Sequence, residues 1–423
     1  MPGAEQAATA KISDALRGLP WGEPLALAVS GGADSTALML SASRGPDAQN
    51  LTVLSVDHGL RAAAAAEAAQ VAKWAKALGL KHQILNWKDA KPETGLQAAA
   101  REARYGLMTA WCRAHDVSTL ITAHTLDDQA ETVLMRLKRG SGVDGLSGMA
   151  KQSWRSGIRL LRPLLEITHE ELVASLQAAG QPWIEDPSNQ DARYERIRIR
   201  NSASELEALG LTRRKLVATA RKMTRARDAL DQATADLLAA SVDVSDYGYC
   251  RLAAGLLAKA PDELAIRALA RCIQAIGGGA WPPGDEPLER LLTWVRAKAP
   301  EATTLGGCRL VKRSDVIVVG RELGRISDRR VSLAEGPLIW DGRFQVHVEG
   351  PMGELSVGPL SEQGWADFKA DRPDLPAFVG QTLPAIRREQ QLLAVPSLAY
   401  VAPGVAENCR FSAKFANLNL ICG

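Results

Sequence analysis

The sequence predicts an α/β protein: a doubly wound, mostly parallel sheet at the amino end, then a helical domain, then a small β-rich α+β domain. Three observations carry that prediction. Between Leu25 and Gly140, short apolar runs alternate with alanine- and leucine-rich stretches, the rhythm of a parallel sheet with helices on both faces. After about residue 205 that rhythm stops, and alanine, leucine and arginine dominate. Beyond Val331, runs such as PLIW, FQVHV and LLAV are broken by glycine and proline, as short strands are. The expected domains are 1–205, 206–325 and 326–423, and a chain of this length has room for roughly three.

The elements follow in order. LALAVS, from Leu25, is a buried strand; SGGADS turns sharply, and STALMLSAS resumes as a helix. LTVLSVD is a second buried strand, and the alanine-rich stretch from Ala62 to Leu78 is a helix that stops at Gly79. KHQILNW reads as a weaker strand, GLQAAAREARYGLMTAWCRAH as a helix, STLITAH as a strand and DDQAETVLMRLKRG as a helix ending at Gly140. In such a sheet, ligands gather at the carboxyl ends of the strands.

Composition excludes several classes. Apolar residues make up 46% and charged residues 23% of the chain, ordinary for a globular protein and unlike a collagen or a disordered tail. No run approaches the eighteen or so apolar residues of a membrane span, and MPGAEQAATAK lacks the order of a secretory leader. The expected setting is the cytoplasm, with no membrane and no obligatory protein partner. Six cysteines are scattered without CxxC or Cys/His spacing, which suits reduced, packed thiols better than a zinc or iron–sulfur site. Net charge is +3, from 51 basic and 48 acidic residues, so any nucleic-acid binding has to come from local clusters. Trp281, Trp294 and Trp340 either stack on bases or fill cores, and cores are the expectation.

The sharpest local signal is Ser30, Gly31, Gly32, Ala33, Asp34, Ser35 between a strand and a helix. Two glycines let the backbone come close to a ligand, successive N–H groups at a helix start favour an anion, and both hydroxyls donate to phosphate oxygens. A tight turn capped by Asp34 and Ser35 uses the same residues. Asp34 adds something, however, because bare phosphate repels it; its presence points to a nucleotide carrying magnesium. No Walker-type lysine accompanies the loop.

Asp57 and His58 end the second strand in SVDHGLR, beside the loop if the sheet is parallel. Asp57 suits ribose, adenine or metal and Arg61 suits phosphate, with a capping aspartate and a packed histidine as the competing account. His124 ends a later strand in AHTLDDQAET, and Asp127, Asp128 and Glu131 open the next helix. Acids suit a helix start, yet three within about one turn repel each other, and a cation among them, magnesium or an amine, relieves this. His124 either packs or stabilises charge there. Arg101 and Arg104, in AAAREARY, clamp phosphate or pair with surface acids such as Glu102.

SGGADS after a first strand resembles the pyrophosphate loop of the N-type ATP pyrophosphatases, which cleave ATP between its α and β phosphates. Taken in order, SGGADS, VDHGLR, AAAREARYGL, TAHTLDDQAETVLMRLKRGSGVDGLSGM, RLLRPLL and WIEDPSNQDARY resemble the long form of the tRNA(Ile)-lysidine synthase family. The likeness is dense over about 25–200 and thinner at 303–310 and 383–398. It implies a Rossmann-like fold of the adenine nucleotide alpha hydrolase type and a ligase that forms a carbon–nitrogen bond. The implied substrates are ATP with Mg2+, L-lysine, and tRNA(Ile) with the anticodon CAU. Cytosine at the wobble position is adenylated at O2, and lysine then attacks C2 to give lysidine, AMP and pyrophosphate.

The resemblance also implies roles. ATP falls to Ser30, Gly31, Gly32, Ala33, Asp34, Ser35, Asp57, His58, Arg61 and Arg104, with the metal on Asp34. Catalysis falls to Asp34, His124, Asp127, Asp128 and Glu131, the last three also seating lysine. One departure is Ile197, which occupies the place of a family asparagine.

Between Arg193 and Arg227, basic residues outnumber acids. Leu216, Ala220 and Met223 recur at helical spacing while Arg214, Arg221 and Arg225 fall on another side. Alone, such a stripe is a solvated face; with the resemblance, these arginines and Arg196, Arg198 and Arg200 are expected on tRNA phosphates. Two other readings stay open. A tRNA thiolase on the same adenylating fold needs reactive cysteines, and the catalytic region has only Cys112. A non-catalytic ATP- or tRNA-binding protein leaves the acidic cluster without a use.

Overall fold

The computed structural model describes residues 2–60, 64–92, 94–185, 195–297, 301–333, 336–350, 353–368, 373–405 and 409–422. They divide into two compact units, Met1–Arg227 and Asp228–Gly423.

The first unit runs α1 (Pro2–Leu16), β1 (Leu25–Ala28), α2 (Ala33–Ala42), β2 (Leu51–Asp57), α3 (Ala64–Ala77), β3 (Lys81–Asn86), α4 (Leu96–Ala114) and β4 (Thr119–Ile121). It continues with α5 (Leu126–Lys138), α6 (Val143–Leu146), β5 (Gln152–Arg155), β6 (Ile158–Leu161), α7 (His169–Ala178), α8 (Glu195–Asn201), α9 (Ala203–Ala208) and the start of α10 (Arg213–Ser241). The sheet has the order β3-β2-β1-β4-β6-β5. All its pairings are parallel except that of β5 with β6. Strand order reverses direction between β1 and β4, the switch point at whose carboxyl ends sheets of this kind take their ligands.

Side chains alternate along β1 as strand geometry requires. Leu25, Leu27 and Val29 enter one core with Ile12, Leu38, Val71 and Leu172, whereas Ala26 faces a second with Leu54, Tyr105, Met108 and Leu120. Helices α1, α2 and α7 pack together, and α4 supplies the second core through Tyr105, Met108 and Cys112. The alternation read from Leu25 onward is present. The sequence reading omits α1, α7 and the β5–β6 hairpin, whose turn Ser156–Gly157 takes φ of 50° and 79°, the left-handed pair that a two-residue hairpin loop demands.

The second unit holds the end of α10, then β7 (Val242–Ser245), β8 (Tyr249–Ala253), α11 (Ala254–Lys259), α12 (Asp262–Gly277), α13 (Asp285–Arg296), β9 (Ala302–Leu305), β10 (Cys308–Arg313) and β11 (Val316–Arg321). These five strands form an antiparallel sheet in the order β7-β8-β11-β10-β9. The stretch read as helical thus also carries a sheet, because its strands are short and sit at the two ends of a helical segment that dominates the composition. Ala265, Leu269, Cys272 and Ile276 line the buried side of α12.

Downstream lie β12 (Val331–Leu333), β13 (Leu338–Trp340), β14 (Phe344–Glu349), β15 (Leu355–Pro359), α14 (Ser361–Asp367), α15 (Ala377–Gly380), β16 (Pro384–Arg388), β17 (Gln391–Val395), β18 (Tyr400–Val401), β19 (Arg410–Phe415) and α16 (Leu418–Cys422). They make two antiparallel sheets, β12-β15-β16-β17-β18 and β13-β14-β19. Trp340 is buried in the core of this unit, whereas Trp281, expected in a core, is 84% exposed.

Candidate active site

The loop after β1 is tightly closed. Gly31 has φ +92°, and a Cβ there would lie 2.6 Å from Ile184 Cδ1, so only glycine fits. The Ser35 hydroxyl donates to the Gly32 carbonyl at 3.0 Å and lies 3.2 Å from both the Ser30 amide and the Ser30 hydroxyl. Thr36 Oγ1 donates to the Gly31 carbonyl at 3.0 Å. Helix α2 starts after Gly32, which has no side chain to cap it, leaving first-turn amides to meet a ligand.

Asp34 stands in that first turn, and His169, the first residue of α7, reaches it: His169 Nδ1 is 2.7 Å from Asp34 Oδ1. That hydrogen bond raises the pKa of His169 against the effect of its burial. The His169 amide also donates to Asp127 Oδ2 at 2.8 Å. One residue thus ties the phosphate loop to the acidic cluster.

Within the cluster the three acids differ. Asp127 Oδ1 lies 2.7 Å from Arg213 Nη1, which also meets Glu170 at 2.6 Å. Asp128 closes a capping box with Thr125, accepting the Thr125 amide at 2.9 Å, with Arg196 at 3.8 Å. Glu131 is buried, at 6% exposure. Arg200 donates to its Oε1 through Nε at 2.9 Å and Nη2 at 2.7 Å, while Oε2 is buried without a partner. Burial pushes the Glu131 pKa up, with Arg200 pulling the other way.

His124 Nδ1 is 2.9 Å from Thr122 Oγ1. Burial, helped by Arg162, Arg101 and Arg196 and opposed by Asp128, lowers its pKa to about 4, so the ring is neutral near pH 7. Asp57 Oδ1 accepts the Gly59 amide at 2.8 Å. His58 packs edge-on against Trp87, with its pKa lowered by burial and then by Arg104. Arg104 is itself lowered by burial, with Arg101 and Arg196 acting in the same direction. Arg61, Arg193 and most of WIEDPSNQDARY lie outside the described residues.

Residues 6–206 match the PP-loop domain family. The tRNA(Ile)-lysidine synthase of Ruegeria pomeroyi is 42% identical over 347 residues, covering 82% of this chain and 80% of that protein. The tRNA(Ile)-lysidine synthase of Wolbachia pipientis wMel is 35% identical over 384 residues, covering 89% of each. That of Methylobacterium nodulans is 46% identical over 291 residues, covering 67% of this chain and 86% of that protein. The chain belongs to the tRNA(Ile)-lysidine synthase family.

In this tRNA(Ile)-lysidine synthase family member, His169 links Asp34 of the loop after β1 to Asp127 at the start of α5, the helix that also carries Asp128 and Glu131. Arg214 and Arg225 are exposed on α10; Arg221 is exposed and meets Glu166 at 3.2 Å. Leu216 and Ala220 are buried against Leu126, Ala130 and Val133 of α5, as their spacing implies. Arg198 is exposed, and Ile197, in the family's asparagine place, is buried. Arg200, expected on tRNA, sits on Glu131. Sequence reasoning missed His169 and Arg162, and counted Arg213 only within the basic stretch. The T-x-x-E capping box of Thr168 and Glu171 marks a helix start in the sequence, but nothing local announces its contact with Asp34. Burial raises the Cys112 thiol to about 11, which keeps it out of the thiolate form that sulfur transfer requires.

Proposed function

We propose that this chain uses ATP to join lysine to C2 of the wobble cytidine of tRNA(Ile) with anticodon CAU, giving lysidine, AMP and pyrophosphate. The observation that carries the reading is the double hold of His169 on Asp34 and Asp127, which sets a phosphate loop and a carboxylate cluster side by side. In the first step, cytosine O2 attacks the α-phosphorus and pyrophosphate leaves. First-turn amides of α2 and the hydroxyls of Ser30 and Ser35 donate to the phosphate oxygens as charge builds. Asp34 Oδ2, without a partner among the described residues, fits Mg2+, which would offset phosphate charge; magnesium needs only one or two carboxylates beside phosphate oxygens. Asp57, His58 and Arg104 edge the nucleotide.

In the second step a lysine ε-ammonium must lose a proton before its nitrogen attacks C2 and AMP departs with the electrons of the C2–O2 bond. Glu131 Oε2 is the acceptor we assign to that proton; Asp127 and Asp128 add negative charge around the ammonium. Neutral His124 lies by the reacting base. Arg196, Arg198, Arg214, Arg221 and Arg225 meet phosphates of the tRNA, Arg200 joining them on release from Glu131. Residues 1–205 carry the chemistry, and 206–325 and 326–423 hold the rest of the tRNA. We place the reaction in the cytoplasm; no helix among the described residues is long and apolar enough to cross a membrane.

The test is pyrophosphate release from MgATP by the purified chain, with labelled lysine, using a CAU tRNA beside a CAG transcript. Release and label transfer confined to the CAU tRNA are expected. ATP binding without release under any pairing would sink the proposal.

A further inference from the structure

The arginines near His124 and the adjoining acids differ in what they face. Arg196, Arg200 and Arg213 each face a carboxylate, of Asp128, Glu131 and Asp127 respectively. Arg162 does not. It follows β6, whose Leu161 carbonyl accepts the Thr122 amide at 2.9 Å, so it stands at the sheet edge beside the Thr122–His124 turn. Its Nη1 donates at 3.0 Å to both the Ala150 carbonyl and Ser153 Oγ. Nε is buried without a partner, and Nη2 has no acceptor among the described residues. Burial disfavours its charge, opposed by Tyr105 and aided by Arg101, and two neutral acceptors are a thin return for a guanidinium taken from water. The geometry is that of a preset donor fork lacking its anion.

We infer that Arg162 takes a phosphate oxygen of the RNA strand next to the target cytidine. The inference rests on the proposed function. A base seated by His124 brings its own flanking phosphates with it. The loop after β1 already provides donors for the nucleotide, and Arg196 and Arg200, also assigned to tRNA phosphates, must first leave the carboxylates that they face. Arg162 needs no such release, and unlike the exposed Arg101, which also lies near His124, it holds a buried Nε with no partner.

The experiment uses the full chain and a labelled RNA hairpin with a CAU anticodon loop, titrated at several salt concentrations, with MgATP affinity measured on the same preparations. For Arg162→Gln, RNA binding should weaken about ten-fold, and the slope of log K against log salt should shrink by about 0.7–0.9, the loss of one phosphate contact. Arg162→Lys should keep the slope while losing part of the affinity, since the charge stays and the fork goes. Arg159→Gln, which removes a charge from the same strand on the side facing Glu23, should leave the slope at the wild-type value. An unchanged slope in Arg162→Gln, or an equal loss in Arg159→Gln, overturns the inference. A loss confined to MgATP affinity also overturns it, by giving the arginine to the nucleotide. A wild-type chain that ignores this RNA would instead remove the proposed function, a separate and recognisable failure.

Discussion

Arg200 places both Nε and Nη2 on a single oxygen of Glu131, at 2.9 and 2.7 Å, and leaves the other oxygen buried and unpaired. A carboxylate so held is fixed in position and still has a lone pair to offer. Glu131→Gln keeps the shape and removes the basicity. The expected outcome is pyrophosphate release close to wild type, with lysine transfer down about 10²–10⁴-fold, the usual worth of a general base. Following released pyrophosphate and RNA-bound lysine in one reaction checks it; equal loss of both would place Glu131 in the first step.

Removing Arg200 asks a different question of the same pair. Arg200→Ala strands a buried carboxylate, and the cost should be about 1–3 kcal/mol in urea unfolding, less than for a fully dry pair because Arg200 is 53% exposed. Burial already raises the Glu131 pKa; without Arg200 it should rise further, and the pH at which lysine transfer switches on should move up with it.

Gly31→Ala should fail for two reasons that add. The residue sits at φ +92°, and its new Cβ would meet Ile184 Cδ1 at 2.6 Å and Val71 Cγ2 at 3.1 Å. The strain is of order 1–3 kcal/mol, relieved by moving the loop. MgATP affinity should drop at least ten-fold while far-ultraviolet circular dichroism keeps its shape, which equilibrium binding on folded protein measures. Gly22→Ala, outside the loop, is the control, because its Cβ would meet nothing within 4 Å.

Much of this site was legible because its signals are local. Gly31, Gly32 and Asp34 sit between a strand and a helix within six residues, and Asp127, Asp128 and Glu131 share a helix start, so periodicity and turn chemistry place them at the sheet's carboxyl edge. The partners were not legible. His169 is 135 residues from Asp34, and Arg200 is 69 from Glu131; such contacts depend on how α7 and α8 pack, which residue spacing does not encode. For Arg200 the basic composition of its stretch pointed to phosphate, and the structure pairs it with an acid instead. In the second unit, the five short strands between Val242 and Arg321 were hidden by helices that dominate the local composition, although Gly306–Gly307, with φ of 56° and 76°, carries a recognisable hairpin turn.

His124 should leave a mark on acid stability. Its folded pKa of about 4 lies below the ordinary value of about 6.5, so between those limits the unfolded chain binds a proton that the native chain does not. Unfolded protons in excess mean that stability rises with pH. The His124 contribution is therefore full above about pH 6.5 and is lost as pH falls toward about 4, by roughly 1.4 kcal/mol per unit at most. Unfolding free energies of wild type and His124→Gln at pH 5, 6 and 7 should converge as pH drops. Parallel curves would mean that the imidazole is free to charge in the folded state.

The second unit offers a sharper test of what a buried charge does. Arg321 donates to both oxygens of Asp341, at 3.0 and 2.8 Å, and Arg343 donates to Oδ2 at 2.7 Å. The three side chains are at most 8% exposed, so solvent cannot stand in for a lost partner. Asp341→Asn leaves two guanidiniums without their counter-charge, and a loss of about 3–5 kcal/mol follows. The exposed pair of Arg290 and Glu286, at 65% and 81% exposure, is the contrast: Glu286→Ala should change stability by less than about 0.5 kcal/mol. Added salt separates the two cases, since screening reaches the exposed pair and not the buried one. Denaturant midpoints of both variants in low and high salt measure this. If Asp341→Asn costs no more than Glu286→Ala, the arginines must find other acceptors on local rearrangement, for which the Arg343 contact with the Thr382 carbonyl at 3.2 Å is the nearest start.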